Sequence, residues 1–165
     1  MPELPEVETV RRGLAHLLTG FTFRSAQDLH PRLLKPASLA PLSTVIGARI
    51  TGINRRGKFL WFELNRDYVL VAHLGMSGQF LIAQKDRPAP AHVRAQFRLS
   101  RGLNKREVAF SDQRTFGWLS IEQLINGIPQ SALHIAVDPF DPSFDRTAVI
   151  TQMKSRKAAI KSVIL

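Results

Sequence analysis

The second residue is proline, and three glutamates follow it within PELPEVE. An initiator methionine in front of a small residue such as proline is usually removed, which would leave Pro2 with a free secondary amine. An α-amine titrates near ~7.7–8, against ~10.4 for a lysine, so much more of it is an unprotonated nucleophile at neutral pH. A secondary amine attacking an aldehyde-level carbon gives an iminium, the Schiff-base route of covalent catalysis. A helix starting just downstream would lower the amine pKa further. Glu3 and Glu6 are close enough in sequence to supply a carboxylate for proton transfer. Met-Pro is a common beginning, so these residues define a chemistry the chain could perform and not yet an activity.

Other reactive side chains are open to two readings each. Lys58 reads equally as an exposed charge at a strand start, and His73 as a satisfied histidine beside a turn. Met76 and Phe116 have the spacing of core residues, and Arg114 that of a solvated turn charge. Histidines at 16, 30, 73, 92 and 134 lack ligand spacing, so no metal site is expected. With no cysteine, disulfides, a thiol nucleophile and Cys-ligated zinc are excluded from this chain.

The elements that must position these groups come next. The chain has 165 residues, enough for one domain and part of another. Its hydrophobic fraction of 44% and charged fraction of 22% are those of a globular protein. Lys and Arg number 23 against 13 Asp and Glu, a net charge of +10. That excess points to a polyanionic partner, nucleic acid first and an acidic membrane second. Arg101, Lys105, Arg106 and the basic run at 154–161 would attract phosphate without regard to sequence. No apolar run reaches the ~18 residues of a membrane span. The acidic start is unlike a signal peptide. A soluble, cytoplasmic protein is expected.

Residues 5–19 read as a helix, with Val7, Val10, Leu14, Leu17, Leu18 and Phe21 on one face. Pro5 suits its first position, Glu6 and Glu8 its positive start, and Gly20 its end. Residues 45–120 read mostly as strands. Val93, Ala95, Phe97 and Leu99 alternate with polar residues, as in a strand buried on one face. Residues 59–62 and 69–72 are continuous apolar runs, as in strands buried on both. Turns are expected at 55–57, 65–67 and 101–104, a loop at 85–92, and a short helix at 122–126. The pattern predicts a β-sandwich or barrel. Residues 138–142 read as a linker, followed by two helical segments. The chain ends on apolar Val163-Ile164-Leu165 without a capping signal, so a fragment cut inside a second domain is expected. There are no internal repeats.

Five motifs occur in order: PELPEVETVRRGL at the start, RRGKFLWFEL at 55–64, HLGMSGQF at 73–80, DQRTFGWL at 112–119 and KAAIK at 157–161. Together they resemble the formamidopyrimidine-DNA glycosylases, bacterial base-excision-repair enzymes that remove oxidised purines. The resemblance runs over the whole chain. It implies an α+β, mainly β architecture: an N-terminal β-sandwich flanked by helices over 1–137, then the truncated start of a helix–two-turn–helix domain over 138–165. A C-terminal zinc finger, with one structural zinc, would belong to the full-length protein and not to this chain.

The resemblance also implies roles. Pro2 would attack C1′ of the damaged nucleoside, Glu3 would handle the sugar-oxygen proton, and Glu6 would support that arrangement. Lys58 and His73 would grip phosphates flanking a flipped nucleotide. Met76, Arg114 and Phe116 would enter the duplex, and Lys161 would lie near the lesion pocket. RRGK and DQRTF depart slightly from the RRAK and DPRRF of other members without removing a functional position. The implied activity is a DNA glycosylase and abasic-site lyase acting on damaged double-stranded DNA, as a monomer, with no cofactor held by this chain. An endonuclease VIII-like enzyme for oxidised pyrimidines is the near alternative, disfavoured by PELPEVE in place of PEGPE. A non-catalytic nucleic-acid-binding β-domain is the distant one. The 165-residue chain alone is expected to fold but to excise poorly.

Overall fold

A computed structural model describes residues 3–83, 90–139, 141–159 and 161. The chain divides into two units, Met1–Ile135 and Ala136–Leu165.

The first unit opens with α1 (Leu4–Leu18), whose N-cap is Glu3. Pro5 lies at its second position, one later than expected. That position also lacks an intrahelical acceptor, so the missing N–H is again harmless. The Glu6 carboxylate accepts the Glu3 backbone N–H at 3.0 Å, half of a capping box. Val7, Leu14 and Leu18 are buried, but Leu17 is 38% exposed. At 3.6 residues per turn Leu17 sits about 80° round from the centre of the buried stripe, so it drops out of the expected apolar face.

Among the described residues ten strands follow: β1 (Thr22–Asp28), β2 (Ile50–Arg56), β3 (Phe59–Leu64), β4 (Val69–His73), β5 (Gln79–Ile82), β6 (Val93–Arg101), β7 (Asn104–Ser111), β8 (Trp118–Glu122), β9 (Leu124–Ile125) and β10 (Ile128–Pro129). Eight of them build two four-stranded antiparallel sheets, ordered β1-β6-β7-β5 and β2-β3-β4-β8, and β9 pairs with β10. Phe23, Phe97, Leu99 and Phe110 from the first sheet pack with Leu60, Phe62, Leu70 and Leu119 from the second in one core, together with Leu14 and Leu18 of α1. This is the expected sandwich, mainly β with α1 at its margin. The alternation in β6 places Ala95, Phe97 and Leu99 inside. The apolar runs of β3 and β4 are buried on both faces, since Trp61, Val69 and Val71 form a second cluster away from the main core.

The helix expected at 122–126 is absent. Glu122 ends β8, and Leu124–Ile125 pairs with Ile128–Pro129 as a hairpin. Asn126 and Gly127 have φ of 52° and 80°, so both central residues are left-handed, as the two-residue turn matching strand twist requires. The Asn-Gly pair overrides the weak helical spacing.

In the second unit α2 (Arg146–Lys154) is capped by Asp145, which accepts the Ala148 N–H at 2.9 Å. The expected second helical segment there falls largely on 160 and 162–165, outside the described residues, as does 85–89 of the expected loop.

Phe97 is fully buried and meets Phe23 edge-on at 5.5 Å. Phe97→Ala should lower unfolding free energy by about 3–5 kcal/mol. Its exposed neighbour Arg98, replaced by Ala, should change it by less than ~0.5 kcal/mol. Urea unfolding midpoints measure both, and equal effects would contradict the strand orientation.

Candidate functional site

Glu8, on the face of α1 turned to β2, joins helix to sheet. One carboxylate oxygen accepts from Arg11 at 2.9 Å and Arg12 at 2.8 Å, the other from Arg11 and from Arg55 of β2, both at 2.9 Å. Arg11 also donates to the Ile53 carbonyl at 3.1 Å. The Arg11 hydrogen bonds, with those of Arg55 and Arg12, hold the Glu8 carboxyl far below the usual range although burial opposes this. Glu8 raises the Arg11 pKa in return, again against burial. The helix start is thereby fixed beside the β2–β3 turn. There Lys58 Nζ meets Glu3 Oε2 at 3.1 Å. The Glu3 side chain is 64% exposed, so its carboxylate can be reached from outside. Pro2 lies outside the described residues.

Register carries the site onward. Phe59 pairs with His73 and His73 with Trp118, so three rings form one row across β3, β4 and β8. His73 stacks on Trp118 at 5.6 Å with the ring planes 8° apart, and Phe59 meets His73 edge-on at 5.1 Å. The Gly75 N–H donates to His73 Nδ1 at 3.1 Å, so a neutral ring carries its proton on Nε2. Burial, then the charges of Lys35 and Lys58, push the His73 pKa down. His73 is therefore a directional N–H donor and not a cation at neutral pH.

Beyond β4 and before β8, two loops present the remaining side chains. Asp112 is fully buried between them. Its Oδ1 accepts from Ser77 Oγ at 2.5 Å and from the Arg114 N–H at 3.1 Å, and its Oδ2 from the Gly117 N–H at 2.6 Å. Burial raises its pKa, but these bonds and one from the Thr115 backbone outweigh it and hold the carboxyl below its ordinary value. Gly75, at φ 60°, lies so close that a Cβ there would sit 2.5 Å from the Gly117 nitrogen. The loops are locked while their tips face outward: Met76 is 42% and Phe116 58% exposed, and Arg114 Nη1 lies 3.7 Å from Met76 Sδ. Core packing for Met76 and Phe116, one of the two sequence readings, is thus excluded. Glu6 and Met76 line one open depression of about 360 Å³ with Val10, Leu74 and Phe80.

The first unit thus assembles Glu3 with Lys58, His73 with its ring row, and Met76 with Arg114. Lys161 is exposed and belongs to the second unit. Among the described residues no group of three or more His, Cys, Asp or Glu could hold a metal, and no helix is long and apolar enough to cross a membrane. Sequence reasoning missed Asp112 and assigned Glu8 only to the helix start. The spacing of Glu8 to Arg11 and Arg12 was a visible signal for a local ion pair, but nothing linear pointed to Arg55. Asp112 stood at the head of a motif, without any sign that it would be buried.

Comparison with known proteins supplies the context. Residues 1–119 match the family model of the formamidopyrimidine-DNA glycosylase N-terminal domain. The whole chain aligns with formamidopyrimidine-DNA glycosylases of Corynebacterium jeikeium, at 43% identity and 62% of that protein's length, and of Acidothermus cellulolyticus, at 45% identity and 58%. It therefore spans about three-fifths of these relatives. Among solved structures, the Lactococcus lactis Fpg complex with abasic-site DNA superimposes with a TM-score of 0.65 at 33% identity, covering 74% of this chain and 44% of that one. A MutM complex with carbocyclic 8-oxo-G DNA gives 0.63 at 34% identity over the same shares.

Two variants test this geometry. Because the Glu8 pKa is depressed in the fold, its stabilisation is present above the ordinary carboxylate pKa and is lost as pH falls toward the folded value. The stability advantage of the native chain over Glu8→Gln should therefore be flat above about pH 5 and shrink steadily below about pH 4. A pH-independent difference would remove the clamp. Asp112→Asn turns an acceptor into an NH2 group facing N–H donors. It should destabilise the fold by about 1–3 kcal/mol and broaden amide NMR signals at Arg114 and Gly117, and unchanged signals there would argue against the staple.

Proposed function

Through residues 1–119 the chain belongs to the formamidopyrimidine-DNA glycosylase family, and from that membership we propose that it carries the catalytic domain of a base-excision-repair glycosylase and abasic-site lyase for oxidised purines in duplex DNA. The observation that carries the reading is the Glu3–Lys58 pair at 3.1 Å, which sets an ammonium against a reachable carboxylate on the residue that follows Pro2 in sequence. The solved relatives were captured with DNA bearing an abasic site or carbocyclic 8-oxo-G, so the same class of ligand is proposed here.

A target base must leave the stack before its sugar can be attacked, at a cost of a few kcal/mol. Met76, unbranched and exposed at its loop tip, fills the gap left behind. Phe116 wedges between bases and favours a kink, and Arg114 offers its donor fork to O2 and N3 of the orphaned pyrimidine. Lys58 and the Nε2–H of His73 hold the phosphates flanking the extruded nucleotide. With Met1 removed, the Pro2 nitrogen bonds to C1′ as the glycosidic bond breaks, and the bonding pair leaves with the base. The amine then loses its proton, the C1′–O4′ bond opens to the iminium, and Glu3 handles the proton that O4′ takes up. Loss of a C2′ proton expels the 3′ phosphate by β-elimination. A δ-elimination then releases the 5′ phosphate, and water frees the proline.

Lys161 is assigned to the lesion pocket by the family resemblance. Residues 138–165 are assigned to the start of the helix–two-turn–helix domain. The zinc of a full-length member does not fit the residues present here, which include no cysteine, and no step above involves it. The setting proposed is the bacterial cytoplasm, where the chromosome lies.

Borohydride trapping decides between an enzyme and a mere binder. Full-length protein carrying this sequence should form a covalent adduct with abasic duplex, Pro2→Gly should strongly reduce lyase activity, and Glu3→Gln should slow base release more than binding. Absence of an adduct would leave the binding-domain reading. The 165-residue chain should bind duplex but excise little, because positioning contributes about 7–11 kcal/mol to such a barrier and the relatives draw on a longer chain for it.

A further inference from the structure

We infer that Lys35 completes a phosphodiester-binding cradle with His73 and Lys58 on the outer face of the β2-β3-β4-β8 sheet, gripping a backbone phosphate of duplex DNA. None of the five motifs contains Lys35, which lies in the segment between β1 and β2. This inference rests on the proposed DNA-binding function and adds a residue to it.

Three observations support the assignment. The first is placement. The segment around Lys35 runs beside β8: Leu34 bridges to Leu119 in parallel, the Lys35 N–H donates to the Leu119 carbonyl at 3.0 Å, and the Leu119 N–H donates to Leu33 at 2.9 Å. Backbone bonding on both sides fixes where the side chain begins. The second is the position of the ammonium. Lys35 Nζ lies 3.8 Å from the centroid of the Trp118 ring, the ring on which His73 stacks. A cation on an indole face is held without a carboxylate. The third is charge balance. Among the described residues no carboxylate pairs with Lys35, and its charge is felt at His73 together with that of Lys58. The charges of two ammonium groups thus act on an imidazole whose remaining donor is Nε2–H. Lys58 is paired with exposed Glu3, so the cluster keeps a net positive excess. His134, which meets Phe59 edge-on at 5.6 Å, is the other titratable group on the row.

Such an arrangement leaves a lysine charge and an imidazole N–H donor without a carboxylate among the described residues to answer them. A phosphodiester suits it: one negative charge shared by two oxygens, each accepting several donors. A lysine held on an aromatic face loses little further freedom on binding, and it reads phosphate without regard to base sequence.

The test uses the 165-residue chain and its Lys35→Met and Lys35→Arg variants. Affinity for an undamaged and an abasic-analogue duplex is measured across about 50–200 mM salt. Loss of one phosphate contact should flatten the slope of log K against log salt by about 1. At ~0.15 M salt that is about fivefold weaker binding, equal for both duplexes, with Lys35→Arg restoring most of it. The His73 imidazole, followed by NMR, should titrate at higher pH in Lys35→Met, a readout independent of DNA. Inorganic phosphate is the second arm. If phosphate perturbs His73 while the duplex slope is the same in wild type and Lys35→Met, the site takes free anions and the backbone assignment is overturned. An unchanged slope with no phosphate response overturns the cradle altogether. Failure of the wild-type chain to bind any duplex would instead overturn the proposed function.

Discussion

The carboxylate of Glu8 is the point where helix and sheet meet. A helix packed by Val7, Leu14 and Leu18 could still rock about its apolar stripe, because hydrophobic contact is non-directional. Four hydrogen bonds from three arginines onto one carboxylate are directional, and the one from Arg55 comes from β2. They fix the helix start beside the β2–β3 turn, and the Glu3–Lys58 contact follows from that fixed angle. An exposed pair of this kind would contribute little. Here Arg55 and Glu8 are mostly buried, with side-chain exposures of 12% and 21%, and geometry of this quality makes such pairs specify position.

The second constraint is the buried carboxylate of Asp112. A side chain with no exposed surface must have its lone pairs satisfied, and here the donors come from two loops that are distant in sequence. Satisfying Asp112 therefore means bringing Ser77 and Gly117 together. The closeness of that approach is what excludes a side chain at Gly75. Rigidity below allows exposure above: Met76 and Phe116 can stay in water as isolated apolar tips because the loops beneath them have no freedom to fold them inward.

Between these two fixed points lies the ring row. Phe59, His73 and Trp118 are neighbours because β3, β4 and β8 pair in one register. A slip of one residue would turn the whole row into the core. The row also makes His73 a neutral donor, through burial and through two nearby ammonium groups. The sheet thus supplies a spacing, and the charges around it determine what the spacing can bind.

The sequence by itself determined a good deal. Alternation in β6 and the doubly apolar runs of β3 and β4 were legible because side-chain direction in a strand has period two, whatever the strand packs against. The first helix was legible from its stripe and its end residues. The positive charge pointed to a polyanion, and the ordered motifs pointed to a family. What was not legible depended on partners remote in the chain. Glu8 looked like a helix-start charge until β2 brought Arg55 to it. Residues 122–126 looked helical until Asn126 and Gly127 closed a hairpin. Met76 and Phe116 could not be told from core residues, since apolar type is the same at a loop tip as in an interior. Asp112 and Lys35 carried no local signal at all. Burial, ion pairing and exposure are properties of neighbours, and only the tertiary structure decides which neighbours a residue has.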